Sequence, residues 1–217
     1  MTHLPSHQHR RPRGFTLVEV LVALMVLALM ATMAWQGVDS IVRTRDASQQ
    51  ALEQSLRLQS VLSQWEKDLG ALQETAAVPA LNFDGATLRL TRRAEGGMQV
   101  VAWTLRPDPA GTELWRWAGP VVTGSAGLQD SWMLSQQLLA GEAGQLRALT
   151  GLTEWQLYYF QGNAWSNAQS TGNVTAPAGA ASAVRQAALP SGVRMVLSFL
   201  PGRGVSGTLT RDILLGP

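Results

Sequence analysis

Residues 13–24 read RGFTLVEVLVAL and open an apolar run at 15–35, FTLVEVLVALMVLALMATMAW. As an α-helix, a run of this length spans roughly 31 Å, which is close to the thickness of a bilayer core. The sequence therefore predicts that the N-terminal segment is a membrane-spanning helix.

Basic residues precede this run. Gly14 lies directly before it, whereas an ordinary secretory signal carries its small-residue cleavage site after the apolar region. A second basic pair, Arg43 and Arg45, lies several residues beyond the C-terminal end of the run, farther from it than the leader cluster is from the N-terminal end. Because the denser cluster favours the cytoplasmic side, we expect a single pass with a cytoplasmic N-terminus. The leader cluster is His3, His7, His9, Arg10, Arg11 and Arg13.

Glu19 is the only charged residue inside the apolar run. An ionised and unpaired carboxylate in hydrocarbon is costly, and the sequence has no cationic side chain between Phe15 and Val42. Cleavage between Gly14 and Phe15 would create an α-amino group four residues before Glu19, on the same helix face. That ammonium could pair with Glu19 of its own chain or of a neighbouring helix. The alternative is an anchor helix that tolerates Glu19 by snorkelling, preceded by an incidental glycine.

The stretch RGFTLVEVLVAL resembles the class III signal of type IV prepilins and pseudopilins. The resemblance implies that an aspartyl prepilin peptidase removes residues 1–14 and N-methylates Phe15. Glu19 then becomes the fifth residue of the mature protein.

Beyond Trp35 the pattern becomes amphipathic, with apolar residues at three- and four-residue spacings. We assign 15–36 to the membrane half of one helix and 37–76 to its amphipathic half, with the helix itself ending near residue 72. Its total length is roughly 55 residues, or about 80 Å. We interpret the stripe from Leu52 to Leu72 as the surface on which a sheet packs.

Short segments of strand character follow, and they predict a globular β-rich domain at 77–217. The fold class is therefore α+β, with one long helix packed on antiparallel sheet, and the resemblance implies that it is pilin-like. Residues 171–189, rich in Ala, Gly, Ser and Thr, are interpreted as a flexible connection between strands. Residues 202–204 are interpreted as a hairpin turn. The predicted strands are 87–91, 99–105, 113–117, 152–160, 193–199 and 207–215.

Composition removes several classes of function. The chain has no cysteine, and its three histidines all lie in the leader, so thiolate and imidazole chemistry are missing from the rest. Without residues 1–14 the chain has 14 basic and 15 acidic side chains, a net charge of −1, which does not favour nucleic acid. We expect no enzymatic activity, no cofactor and no metal site.

Resemblance to the J component of type II secretion pseudopilins extends over most of the chain. It rests on QSVLSQWEKDL at 59–69, GLTEWQLYYFQGNAWSNAQS at 151–170 and LPSGVRMVLSFL at 189–200. The resemblance implies a fibre-tip subunit of the bacterial inner membrane with a periplasmic C-terminal domain. The implied partners are the I and K components, the major pseudopilin G and the prepilin peptidase.

Two other functions stay open. One is a minor pilin of a type IV pilus or DNA-uptake machine, and the other is a signal-anchored periplasmic enzyme or binding protein. Six tryptophans outside the helix are each expected in the core rather than at an interface. Trp115 and Trp117 share a strand face, and Trp103 is a candidate to lie opposite them. If exposed, these three would form a partner-binding patch.

Overall fold

The structure is a computed structural model that describes residues 14–109, 111–171, 189–201 and 205–215. Two compact units divide the chain, Met1–Gln49 and Gln50–Pro217. The described elements are, in chain order, α1 (Leu17–Gly70), β1 (Leu81–Phe83), β2 (Thr87–Ala94), β3 (Gly97–Asp108), β4 (Gly111–Ala118), α2 (Ser125–Gln136), β5 (Gln145–Gln161), β6 (Ala164–Asn167), α3 (Ala168–Thr171), β7 (Gly192–Phe199) and β8 (Gly207–Leu214).

The first unit contains the apolar part of α1. Its apolar side chains are exposed, as those of Leu21 and Met25 illustrate at 57% and 65%. The hydroxyl of Thr32 donates to the carbonyl of Leu29 at 2.8 Å, so this polar group is satisfied within the helix itself. The segment is long and apolar enough to cross a bilayer, which is consistent with a membrane anchor.

In the second unit, the described strands form one curled antiparallel sheet in the order β1-β2-β3-β4-β5-β7-β8. Strand β6 pairs with the C-terminal end of β5. It lies on the same edge of β5 that pairs with β4 near the N-terminal end of β5. The pairing of β5 with β7 shifts register between Leu152 and Glu154, next to Gly151 with a φ of 72°. Glycine adopts this left-handed conformation at little cost, and the irregularity lets the long β5 bend.

One face of the sheet packs against the C-terminal end of α1. Trp65 and Leu69 are buried there, and Leu58 and Leu62 pack against the same core. Leu52 and Leu56, which we predicted to begin the packing stripe, are 59% and 56% exposed. The packed surface therefore begins about one and a half turns later than the apolar pattern indicates. The strand residues beneath the helix include Leu88, Leu90, Val101, Trp103 and Leu114.

The opposite face is covered by α2, which the sequence analysis did not predict. Leu128 and Trp132 of α2 pack with Val100, Ala102 and Trp117 in a second core cluster. Because strand side chains alternate between faces, β3 and β4 supply apolar residues to both clusters. The sheet is thus sandwiched between helices, and the helices are less segregated along the chain than we expected.

All six predicted strands are present, and the predicted α+β class is confirmed. The alternation predicted at 193–199 is also confirmed, since Val193, Met195, Leu197 and Phe199 are buried in β7. Helix α1 ends at Gly70, slightly before residue 72 and six residues before the boundary set at 76. Leu72 already bridges to Arg92 of β2, which places the chain at the sheet. Of the segment interpreted at 171–189, residues 172–188 fall outside the described residues, as do residues 202–204.

Candidate functional site

Thr16 determines where α1 begins. Its Oγ1 accepts a hydrogen bond from the backbone N–H of Glu19 at 3.3 Å, and its carbonyl accepts from Glu19 and Val20 at 3.1 and 3.3 Å. The Thr16-x-x-Glu19 spacing is that of a capping box, a signal that the sequence analysis passed over. The cap places the first helical turn directly after the predicted cleavage point.

Gly14 and Phe15 lie in front of this cap and are exposed, Phe15 by 82%. A Cβ built on Gly14 would find no atom within 4 Å. The φ of Gly14 is also outside the left-handed region. The described structure therefore gives no packing reason for glycine at this position, and an alanine here would not disturb it.

The carboxylate of Glu19 is exposed and has no ion-pair partner among the described residues. Phe15 lies two residues before the helical start at Leu17. In the uncut chain Thr16 caps the helix between the two residues, whereas the predicted pairing concerns the ammonium of the cleaved chain and stays a prediction. Glu19 does stand in the first turn, where the helix dipole favours a negative charge.

Two of the three tryptophans proposed for a partner patch are buried. Trp103 is 1% exposed and donates to Oδ2 of Asp68 at 3.0 Å, and Trp117 is 2% exposed and donates to the carbonyl of Ala143 at 3.0 Å. The exposure on which the patch depended is thus missing at both positions. Each indole is held in the core by a hydrogen bond of its own.

The expected placement of Trp103 opposite the other two is wrong. Trp103 is paired across the strands with Arg116, whereas Trp115 is paired with Thr104 and Trp117 with Ala102. Directly paired residues of an antiparallel ladder share a face, so Trp103 faces α1 and the other two face away from it. Trp115 and Trp117 do share a face, and Trp115 is only half-buried.

The surroundings of Trp115 were not predicted. Its Nε1 donates to Glu113 at 2.9 Å, and the guanidinium of Arg106 lies 5.1 Å from its ring centroid. Arg147 donates to the other oxygen of Glu113 at 3.1 Å. Strand alternation alone indicates that Glu113 and Trp115 share a face. Arg106 and Arg147 come from β3 and β5, so only the register of these strands with β4 brings them to Trp115.

Within the described ranges, no group of three or more His, Asp or Glu side chains is arranged to hold a metal ion. The strongest cluster of charge is structural. It joins Asp68 to Arg92 and Arg116 beneath the end of α1.

Residues 9–35 match the prokaryotic N-terminal methylation motif. The match contains Gly14, Phe15, Thr16 and Glu19, so the N-terminal segment is similar to the signal of type IV pilin-like proteins. No curated protein matches the chain.

Proposed function

We propose that this chain is a structural subunit of a pilin-like fibre, held in the membrane by the first half of α1 until assembly. It performs no turnover, and its own processing after Gly14 makes it competent to assemble. The observation that carries the proposal is Glu19, an exposed carboxylate in an apolar helix without an ion-pair partner among the described residues.

A fibre supplies an ion-pair partner for Glu19. Cutting before Phe15 creates an ammonium group two residues ahead of the Thr16 cap, where a neighbouring helix can offer its own carboxylate. In a medium of low dielectric such a pair is strong, whereas an unpaired charge is penalised. The exposed apolar side chains of the same helix would be buried by membrane lipid before assembly and by neighbouring helices afterwards.

More specifically, we propose a minor pseudopilin of type II secretion, close to the J component. The three segments that carry this resemblance lie in different elements of the fold. Residues 59–69 include the buried end of α1, and 151–170 form the bent β5, the turn and β6. Residues 189–200 contain β7, the penultimate strand of the sheet. The buried Trp65 and Trp155 from two of these segments meet edge to face at 6.2 Å.

This identity places the N-terminus in the cytoplasm and the second unit in the periplasm of a bacterial inner membrane. The partners are then the I and K components at the fibre tip, the major pseudopilin G, and the prepilin peptidase.

The test compares Gly14→Ala with Gly70→Ala in cells that lack the wild-type gene. A Cβ at either position meets nothing within 4 Å, so both variants keep the fold. We expect Gly14→Ala to block processing and to abolish export of type II substrates, and Gly70→Ala to support both. Loss of pilus function or DNA uptake with intact export would assign the chain to a pilus. Full export by unprocessed Gly14→Ala would overturn the fibre proposal.

A further inference from the structure

We propose that the surface around Trp115 binds an acidic segment of a neighbouring fibre subunit, an inference that rests on the proposed function. We call this surface the Trp115 patch. It consists of Arg106, Glu113, Trp115, Gln145 and Arg147.

The patch is preorganised. Arg106 pairs with Glu113, and Trp115 with Arg147, in the β3-β4-β5 register, so these side chains lie on one face. Nη1 of Arg106 donates to Oε1 of Gln145 at 3.0 Å while its guanidinium lies 5.1 Å from the indole centroid of Trp115. Since these contacts already fix the side chains, binding would cost little of their conformational entropy.

The patch occupies the part of this face that remains accessible beside α2. Trp117, two residues along β4, is covered by the second core cluster, whereas Trp115 is only half-buried. Next to the patch, the carbonyl of Leu139 accepts a hydrogen bond from Gln145 at 2.8 Å. The Leu139 side chain is 73% exposed. Aromatic and arginine side chains flanked by apolar surface are typical of residues that dominate protein interfaces.

The charges of the patch favour a carboxylate. Both oxygens of Glu113 are engaged, by Trp115 and Arg147. Arg106 meets no carboxylate in the described part of the chain, and its Nε and Nη2 have no protein acceptor there. The side chain of Arg147 is 52% exposed. The patch itself contains two guanidiniums and one carboxylate, with Asp108 two residues along β3 and Glu142 next to Leu139 and Gln145 at its edge. The planar forks of the guanidiniums match carboxylate geometry.

A protein carboxylate fits this surface better than a nucleic acid. Residues 50–217 contain 12 basic and 12 acidic side chains, so the domain has no net positive charge to hold a polyanion. The guanidinium donors around one indole instead suit one or two acidic side chains on a protein surface.

The experiment places a photo-cross-linking amino acid at Leu139 of the full chain in cells, with the same label at Arg93 as the control. Arg93 lies on the same sheet face and, like Arg106, hydrogen-bonds an amide side chain, that of Gln73 at 3.1 Å. We expect the Leu139 label to form an adduct with another fibre subunit, at a peptide that contains Asp or Glu.

Second-site variants then test the charge. Arg106→Glu should lower the adduct yield on the order of tenfold, about 1.4 kcal/mol in binding. Arg93→Glu should leave it unchanged. Arg106→Lys, which keeps the charge and the fold, should lower it by a smaller factor. Changing the mapped acidic residue of the partner to arginine should restore the adduct of Arg106→Glu.

An unchanged adduct in Arg106→Glu, a cross-linked peptide without Asp or Glu, or an adduct with lipid or nucleic acid would overturn the inference. If the chain is processed and assembled in the fibre but forms no adduct, the inference is also overturned, whereas the proposed function is not. An adduct with an acidic protein outside the fibre, lowered by Arg106→Glu, would support the Trp115 patch as a binding site for carboxylates. It would contradict the inference that the patch binds a neighbouring fibre subunit.

Discussion

The buried carboxylate of Asp68 binds the guanidinium of Arg116 through two hydrogen bonds, Nε to Oδ2 at 2.7 Å and Nη2 to Oδ1 at 2.9 Å. Arg92 adds an ion pair at 3.1 Å, and the indole of Trp103 donates to Oδ2 at 3.0 Å. One residue of α1 is thereby joined to β2, β3 and β4. Its side chain is fully inaccessible to solvent, so these contacts fix both the position and the rotation of the C-terminal end of α1 on the sheet.

Asp68→Asn should destabilise the domain strongly. The variant leaves two partly buried guanidiniums without their carboxylate, which typically costs about 3–5 kcal/mol. Tryptophan fluorescence of the detergent-solubilised full chain during denaturant unfolding measures the loss. The matched control is Glu66→Gln, two residues earlier, where an exposed ion pair with Arg211 contributes about 0–1 kcal/mol. Equal losses for the two variants would show that the Asp68 cluster does not hold the helix.

Tyr159→Phe should leave stability unchanged or increase it by about 1 kcal/mol, whereas Tyr158→Phe should lower it by about 0.5–1.5 kcal/mol. The Tyr159 hydroxyl is buried without a hydrogen-bond partner among the described residues. The Tyr158 hydroxyl, on the opposite face, donates to Gln156 at 2.7 Å. Denaturant unfolding of the full chain compares the two.

Alkaline titration gives a second readout for the same pair. Burial raises the pKa of Tyr159 well above its usual range, so the folded state resists its ionisation. Stability should therefore fall as the pH rises beyond about 10, where the unfolded tyrosine ionises. Tyr159→Phe should reduce this fall. A Tyr159→Phe variant that loses more stability than Tyr158→Phe would contradict the assignment.

Asp84 should make stability depend on acid pH. Burial raises its pKa, but hydrogen bonds from Arg89 and from the backbone N–H groups of Ala86 and Thr87 outweigh burial and lower the pKa below its usual value. Its contribution is present above the unfolded pKa of about 3.9 and is lost as the pH falls through the lower folded pKa. Asp84→Asn should flatten the stability profile in this range. An identical profile in the variant would exclude the contribution.

Glu19→Gln should insert and be cleaved normally but enter fibres poorly. The amide keeps the shape of the side chain and removes the charge that pairs with the processed terminus, so incorporation should fall on the order of tenfold or more. Quantitative blotting of sheared fibres against the membrane fraction measures it. Asp46→Asn, an exposed acid farther along α1, is the control. Normal incorporation of Glu19→Gln would reject the charge-pairing account.

The apolar segment, six of the strands and the fold class could be predicted because their signals are local. The apolar run, the single Glu19 and the period-two alternation of β7 each lie within one segment. Helix α2 escaped prediction because its buried positions include Ser131 and Ser135 beside Leu128 and Trp132, so its apolar stripe is weak.

Positions that depend on distant residues could not be predicted in the same way. Two partners of Asp68, Trp103 and Arg116, lie 35 and 48 residues away in the sequence, and an aspartate on an amphipathic helix usually faces solvent. The face of Trp103 depends on the register of β3 with β4, and a shift of one residue reverses it.

The most direct test of the fibre-subunit account is the mass and N-terminal sequence of the full-length gene product extracted from the membrane of its own cells. We predict a single mature species that lacks residues 1–14 and begins with an N-methylated Phe15. A mature chain that retains the leader, or that begins at any other residue, would contradict the account.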